Sequence, residues 1–202
     1  MERLCEQISK LYHQNQTIII GIDGPGGAGK TTISQLIMNH FEEEHNIVVL
    51  HIDDFIHPRA IRYNNNFAEW ECFYNLQWRY DYFLDFIIRP IRNGKNFSKA
   101  IELYDKEKDT YFYQQAEIPV GSIVIVEGVF LQKEELKGIF DYVVYMDISR
   151  ETRLARVLKR DSYIGDEEQI KAKYEKRYFP AERFYMQNCE PKIKADYVIG
   201  EK

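Results

Sequence analysis

The stretch GIDGPGGAGKTT, residues 21 to 32, contains the residue types that bind phosphate groups in proteins. Gly24, Gly29, Lys30 and Thr31 fit the spacing G-x-x-x-x-G-K-[ST], in which backbone amides surround phosphate oxygens, the lysine adds a charge and the hydroxyl binds Mg²⁺. Glycines allow this because no Cβ keeps an anion away from the amides. The pattern predicts a nucleoside triphosphate bound with Mg²⁺, with Thr31 on the metal and the phosphates on Gly24, Pro25, Gly26, Gly27, Ala28, Gly29, Lys30, Thr31 and Thr32.

Three acidic residues follow apolar runs and could act on a bound phosphate. Asp53 and Asp54 follow the run that begins at Ile47, and Glu127 follows residues 123 to 126. An aspartate in this position can bind an acceptor hydroxyl and take its proton during phosphoryl transfer. We expect Asp53 to have that role because it comes first after the strand, with Asp54 as the alternative. Glu127 is expected to hold Mg²⁺ through water.

Arginines follow a predicted helix start at Ser149 in DISRETRLARVLKRD. Arg153, Arg156 and Arg160 fall within an arc of about 60° on a helix, so they share one face. Next to a phosphate site they could stabilise the charge of the transferred phosphoryl group, although such a face is often only solvated. We expect Arg156 and Arg160 to be catalytic and Arg153 to bind phosphate. The glycine in the following DSYIGDEEQ favours a mobile lid at about 156–170.

Alternating apolar runs and helical patterns predict the elements that position these residues. Apolar runs are found at 18–22, 47–52, 123–126, 142–146 and 197–199, and a helix is expected from Thr31 to about Glu44. Runs that are apolar on both faces indicate a parallel sheet covered by helices on each side. The sequence therefore predicts a single α/β domain over residues 1–202, a three-layer P-loop NTPase fold with ligands at the carboxyl ends of the strands.

The region at about 54–118 is expected to bind the acceptor. Residues 68–90 are helical in pattern and rich in aromatic residues, and 97–118 show β-rich alternation. Most of these aromatics are expected in the core. Tyr74, Gln77 and Trp78 follow the aspartates and are candidates for lining a pocket for a flat or ring-shaped acceptor.

Composition excludes several other classes of protein. The chain has 202 residues, 45% of them hydrophobic, and a net charge of −5, which argues against a protein that coats nucleic acid. The sequence lacks the guanine-binding pattern N-K-x-D, and no run is long enough to cross a membrane. We expect a cytoplasmic protein with a small-molecule partner, no nucleic-acid or membrane partner, and a possible homo-oligomeric state.

Taken together, the motifs resemble the uridine kinase and phosphoribulokinase family of P-loop kinases. They are GIDGPGGAGKTT, DDF, LYD at 103–105, VIVEG, DISRETRLARVLKRD and YFPAERFY with ADYVI, and they extend from about residue 17 to 199. The resemblance implies an ATP- and Mg²⁺-dependent kinase. It also implies that Asp53 is the catalytic aspartate, that Glu127 lies near Mg²⁺, and that Tyr104 contacts a nucleoside.

The acceptor side departs from uridine kinases. Lys106 follows the Tyr-Asp pair where those enzymes carry an aromatic residue and a histidine, and SYIGD replaces the arginine-glycine-arginine of their lid. A sugar-phosphate or pantothenate-like acceptor therefore stays open, with His57, Arg59 and Arg62 available to bind an acceptor phosphate. A third alternative is a regulatory ATPase that hydrolyses ATP slowly and needs no acceptor.

Overall fold

A parallel five-stranded sheet forms the centre of the molecule in the computed structural model, which describes residues 1–13 and 16–201. The strand order is β2-β5-β1-β6-β7, and every neighbouring pair is parallel. The predicted α/β class and all five predicted strands are confirmed. The strands are β1 Ile18–Asp23, β2 Ile47–His51, β5 Ile123–Gly128, β6 Tyr142–Asp147 and β7 Tyr197–Gly200.

The two faces of the sheet are buried in separate apolar clusters. Ile18, Ile20 and Ile22 of β1 pack with α1 and α2, whereas Ile19 belongs to the aromatic-rich cluster on the opposite face. Neighbouring residues of a strand point to opposite faces, so a run of isoleucines supplies both layers. This alternation explains why β1 has no polar side chain before Asp23 and why the fold has three layers.

Helices cover both faces and account for most of the remaining chain. The helix after the phosphate loop begins at Lys30, one residue earlier than expected, and ends at Phe41, three residues earlier than expected. In the part of the chain that is described, no helix is both long and apolar enough to span a bilayer. The helices are α1 Glu2–Leu11, α2 Lys30–Phe41, α3 Arg59–Arg62, α4 Glu69–Asn75, α5 Tyr80–Tyr82, α6 Arg89–Arg92, α7 Arg150–Arg160, α8 Glu167–Lys173, α9 Phe179–Cys189 and α10 Pro191–Lys194. Short π-helical segments join these helices: Phe83–Ile88 connects α5 to α6, and Tyr174–Tyr178 connects α8 to α9.

An antiparallel hairpin stands apart from the central sheet and confirms the β-rich pattern at 97–118. It consists of β3 Phe97–Asp105 and β4 Thr110–Ile118. Oδ1 of Asp105 accepts hydrogen bonds from the backbone of Glu107 and Lys108, which fixes the turn between the strands. This turn carries Lys106 toward the carboxyl end of the sheet, where it lines the candidate site.

Candidate active site

The phosphate loop lies between β1 and α2, as the motif requires. Gly27 has φ 78°, and a Cβ there would lie 2.8 Å from Cγ1 of Val157 on α7. Gly29, with φ 96°, caps α2 without a side-chain hydrogen bond, so the first amides of the helix have no capping side chain. The amino end of α2 carries a partial positive charge, which favours an anion at this end.

Lys30 lies over the loop. Its Nζ donates hydrogen bonds to the carbonyl oxygens of Gly24 at 2.7 Å and Pro25 at 3.0 Å. Burial lowers the pKa of Lys30, and the nearby carboxylates of Asp53 and Asp23 oppose that shift. The ammonium group is therefore held by carbonyls of its own loop, lies near several carboxylates, and is in a position to bind a phosphate group.

Thr31 and Glu127 meet, as predicted for a metal site. Oε1 of Glu127 accepts from the Thr31 hydroxyl at 2.8 Å and lies 2.7 Å from Nδ1 of His51, while Oε2 accepts from Ser34 at 2.6 Å. Burial alone would raise the pKa of Glu127, but the hydrogen bonds from His51, Ser34 and Thr31 lower it overall. A hydroxyl and an ionised carboxylate suit Mg²⁺, which takes its remaining ligands from water and phosphates. Among the residues described, no group of three His, Cys, Asp or Glu residues is arranged to hold a metal.

Asp53 lies where two hollows meet. One has a volume of about 320 Å³ and contains the phosphate loop, and the other has about 800 Å³ and extends toward α3, α8 and the hairpin turn. Nε1 of Trp78 lies 3.2 Å from Oδ1 of Asp53 and donates a hydrogen bond to it. Asp54 lines only the smaller hollow, and burial raises the pKa of its carboxyl group. The residues that line both hollows are Gly26, Asp53, Lys106, Val129 and Arg160.

The larger hollow, here called the acceptor cavity, contains only part of the expected contact set. Gln77 lines it, but Tyr74 and Tyr104 are absent from its walls among the residues described. Tyr74 is buried against the rings of Phe130 and Phe184, because α4 turns this side chain toward the core. The structure thus differs from expectation at both tyrosines.

Tyr104 instead supports the wall of the acceptor cavity. Its hydroxyl accepts from Nη2 of Arg62 at 2.9 Å and donates to Asp109. Both bonds turn the phenol toward protein groups, so in this structure the ring positions Arg62 rather than facing an acceptor.

The three arginines of α7 face the phosphate loop, each in a different way. Nη1 of Arg153 contacts the carbonyl of Gly26 at 3.1 Å, and this side chain is buried. Nη1 of Arg156 donates to the carbonyls of Gly27 and Ala28 at 3.2 and 3.1 Å. Arg160 lines both hollows. The predicted basic face exists, but Arg153 and Arg156 hold the backbone of the loop, whereas Arg160 borders the two hollows.

Comparison with a protein-family model shows which known proteins the chain is related to. The model of the phosphoribulokinase/uridine kinase family matches residues 19–199, which include the loop, Asp53, Glu127 and α7. The chain belongs to this family. It is accordingly a P-loop kinase, an ATP-dependent phosphotransferase with an alcohol group as acceptor.

Individual members of the family show how far the likeness extends. The uridine kinase of Staphylococcus epidermidis is 31% identical over 156 residues, covering 73% of this chain and 70% of that protein. The uridine kinase of Staphylococcus aureus is 31% identical over 150 residues, covering 72% and 69%. A solved structure from Bacillus stearothermophilus, described as a possible uridine kinase, is 28% identical and superposes with a TM-score of 0.79 over 98% of this chain and 96% of that one.

Two buried carboxylates near the phosphate loop, those of Asp23 and Glu182, were not predicted from the sequence. Asp23 ends β1, and its oxygens accept from the backbone of Gly24 at 2.8 Å and from the hydroxyl of Tyr185 at 2.5 Å. Burial raises the pKa of Asp23. An acid at the end of a wholly apolar strand could have been noticed. Glu182 on α9 lies 156 positions along the chain from Gly26, whose amide it binds, and nothing local indicates that contact.

Proposed function

We propose that this kinase transfers the γ-phosphoryl group of ATP, with Mg²⁺, to a hydroxyl of a small nucleoside-like acceptor, and that Asp53 binds and deprotonates that hydroxyl. The observation that carries the proposal is the position of Asp53 between the phosphate loop and the acceptor cavity. A group at that junction can contact a hydroxyl on one side while phosphate is bound on the other. Asp54 borders only the phosphate side, which favours Asp53 as the base.

The reaction needs one proton acceptor and several positive groups. The acceptor oxygen would form a bond to the γ-phosphorus and give its proton to Asp53 as the bond to the β-phosphate oxygen breaks and ADP leaves. Trp78 orients the carboxylate through its indole N–H. Lys30 and Arg160 would stabilise the charge on the transferred group. Bound Mg²⁺ at Thr31 and Glu127 would supply further neutralisation of the phosphates.

Aromatic side chains in the acceptor cavity support an acceptor with a ring. Large aromatic surfaces give apolar contact and stacking to a flat ligand, while a few polar groups fix its orientation. Gln77, the polar residue predicted for this task, lies among them. The aromatic residues of the wall are Tyr63, Phe73, Tyr163, Tyr174 and Tyr178.

A coupled assay of ADP release tests the proposal. Nucleosides, sugar phosphates and vitamin precursors such as pantothenate would be compared with a control without acceptor, for the wild type and Asp53→Asn. We expect acceptor-dependent ADP release that Asp53→Asn slows by roughly 10²- to 10⁴-fold while ATP still binds. Release of ADP at the same rate with and without every acceptor would instead identify a regulatory ATPase.

A further inference from the structure

Four cationic side chains of the acceptor cavity lack a carboxylate partner. They are Arg59, Arg62, Lys106 and Lys173. Thirteen ion pairs occur among the described residues, and none includes any of these four. The buried Lys133, which lies outside this cavity, shows the usual arrangement because it pairs with Glu135 at 3.1 Å. The acceptor cavity therefore contains four cations that form no ion pair among the described residues.

The acidic residues of the same wall are already engaged. Asp161 accepts from Arg160 at 2.6 Å and from the Tyr174 hydroxyl at 2.6 Å. Glu182 pairs with Arg153, which lies outside the cavity lining. Asp53 is the proposed base, which leaves Glu107 as the remaining acid of the lining. Once these partners are assigned, the cavity has an excess of cations.

Hydrogen bonds hold the side chains of Arg59 and Arg62, and one of them links Arg59 to the backbone of Lys106. Nε of Arg62 donates to the carbonyl of His57 at 2.5 Å, and this side chain is only 7% exposed. Nη2 of Arg59 donates to the carbonyl of Lys106 at 2.6 Å, which ties α3 to the hairpin turn. Asp109 accepts from the backbone of Arg59 and from Tyr104, and the charges of Arg59 and Arg62 help to lower the pKa of its carboxyl group. The contacts therefore position the two arginines, and neither guanidinium group forms an ion pair among the described residues.

We propose that the acceptor carries an anionic group, a phosphate or a carboxylate, that binds to Arg59, Arg62 and Lys106 while its hydroxyl reaches Asp53. The proposal rests on the kinase function proposed above and restricts its acceptor to charged molecules. Guanidinium groups bind both phosphate and carboxylate through paired N–H donors, and the buried Arg62 lies in the same cavity wall as the exposed Arg59 and Lys106. The charge of Arg62 is also felt outside the cavity lining, since it lowers the pKa of the His57 imidazole together with burial and Arg79.

A binding experiment tests the anion site separately from turnover. With Mg²⁺ and a nonhydrolysable ATP analogue saturating the phosphate loop, inorganic phosphate and acetate are titrated by calorimetry into wild type, Arg59→Gln and Lys106→Gln. The control is Lys99→Gln, since Lys99 is exposed on the same hairpin but outside the cavity. We expect a weak site for at least one anion, weakened roughly 10- to 100-fold by Arg59→Gln and Lys106→Gln, the usual effect of losing a charged hydrogen bond, and unchanged in Lys99→Gln. Equal binding in all four proteins, or none in the wild type, would overturn the proposal.

Turnover with matched acceptors gives the second test. The pairs are uridine and uridine 5′-monophosphate, ribose and ribose 5-phosphate, and glycerol and glycerate, so phosphate and carboxylate are compared separately. We expect kcat/KM to be higher for a charged member by roughly 10-fold or more, and Arg59→Gln to remove that preference. Equal or better use of the neutral members would overturn the anionic acceptor but leave the kinase function intact. If no acceptor stimulated ADP release, the proposed kinase function would fail, and the phosphate and acetate titrations would still decide the anion site.

Discussion

Oε1 of Glu182 lies 3.0 Å from the backbone nitrogen of Gly26, so a carboxylate on α9 accepts a hydrogen bond from an amide of the phosphate loop. Its other oxygen, Oε2, lies 2.9 Å from Nη1 of Arg153, and both side chains are buried. Burial raises the pKa of Glu182, and the charge of Arg153 opposes that shift. One ion pair thus joins α7, α9 and the loop.

We expect Glu182→Gln to lower the free energy of unfolding by about 2–4 kcal/mol, because it leaves the buried Arg153 without a counter-charge. Urea unfolding at pH 7 measures the change. The matched control is Glu175→Gln, which breaks the more exposed pair with Arg150 and should lower stability by less than about 1 kcal/mol. Equal losses in the two variants would show that the Glu182 pair does not stabilise this part of the fold.

Lys30→Ala should abolish turnover while the protein stays folded. Within the described part of the chain the ammonium donates hydrogen bonds to two loop carbonyls, so its loss removes a charge that would bind phosphate and little packing. Loss of a charged contact to the transition state should slow kcat/KM for ATP by at least roughly 100-fold. Steady-state kinetics and a thermal melt measure both effects, with the exposed Lys10→Ala of α1 as control. A wild-type rate in Lys30→Ala would contradict the phosphate-loop assignment.

Asp53→Asn should lower kcat by roughly 10²- to 10⁴-fold, the range for losing a general base, with little change in ATP binding. Asp54→Asn should have a smaller effect because Asp54 borders only the phosphate side. Trp78→Phe removes the N–H that orients Asp53 and should reduce kcat less than Asp53→Asn does. Single-turnover kinetics and ATP titrations separate chemistry from binding. Greater sensitivity at Asp54 would move the proposed base by one residue.

Arg160→Ala should reduce kcat more than it raises KM for ATP, by up to roughly 10³-fold if the guanidinium stabilises the transferring phosphoryl group. Asp161 holds this guanidinium beside both hollows, so little reorganisation is needed. Arg156→Ala should affect KM more, because Arg156 supports the loop carbonyls. Lys159→Ala on the exposed side of α7 is the control. A near-normal kcat in both arginine variants would exclude them from the chemical step.

The imidazole of His57 should titrate below its usual value of about 6.5, since burial and the charges of Arg79 and Arg62 disfavour its protonation. Between the folded-state pKa and the higher unfolded-state pKa, the unfolded chain binds more protons, so the contribution of His57 to unfolding free energy rises with pH and falls toward acid. NMR titration of the ring measures the pKa directly. Urea unfolding should show wild type losing stability relative to His57→Gln as the pH falls below about 6.5. A pKa at or above the usual value would show that burial and the charges of Arg79 and Arg62 do not act on this imidazole as the structure indicates.

The sequence by itself determined the central sheet and the phosphate loop. A phosphate loop is one continuous stretch of the chain, so its motif can be recognised in the sequence. Strands made almost entirely of apolar residues indicate that both faces of the sheet are buried. Asp53 and Glu127 could be predicted to lie near the phosphate loop because each follows a strand, and the carboxyl ends of parallel strands lie at the same edge of a sheet. Thr31 and Glu127 accordingly lie 2.8 Å apart although they are far apart in sequence.

Only the tertiary structure decided which polar groups face each other across that edge. Helical periodicity put Arg153 and Arg160 on one face, but it could not show that Arg153 would be neutralised by Glu182 from α9 and that Arg160 would border the open space. It likewise gave no reason for Tyr104 to bind Arg62 instead of facing the cavity. Such contacts depend on the rotation and packing of elements from distant parts of the chain. Periodicity fixes the face of a helix, whereas the partner of that face is fixed only when the whole core is packed.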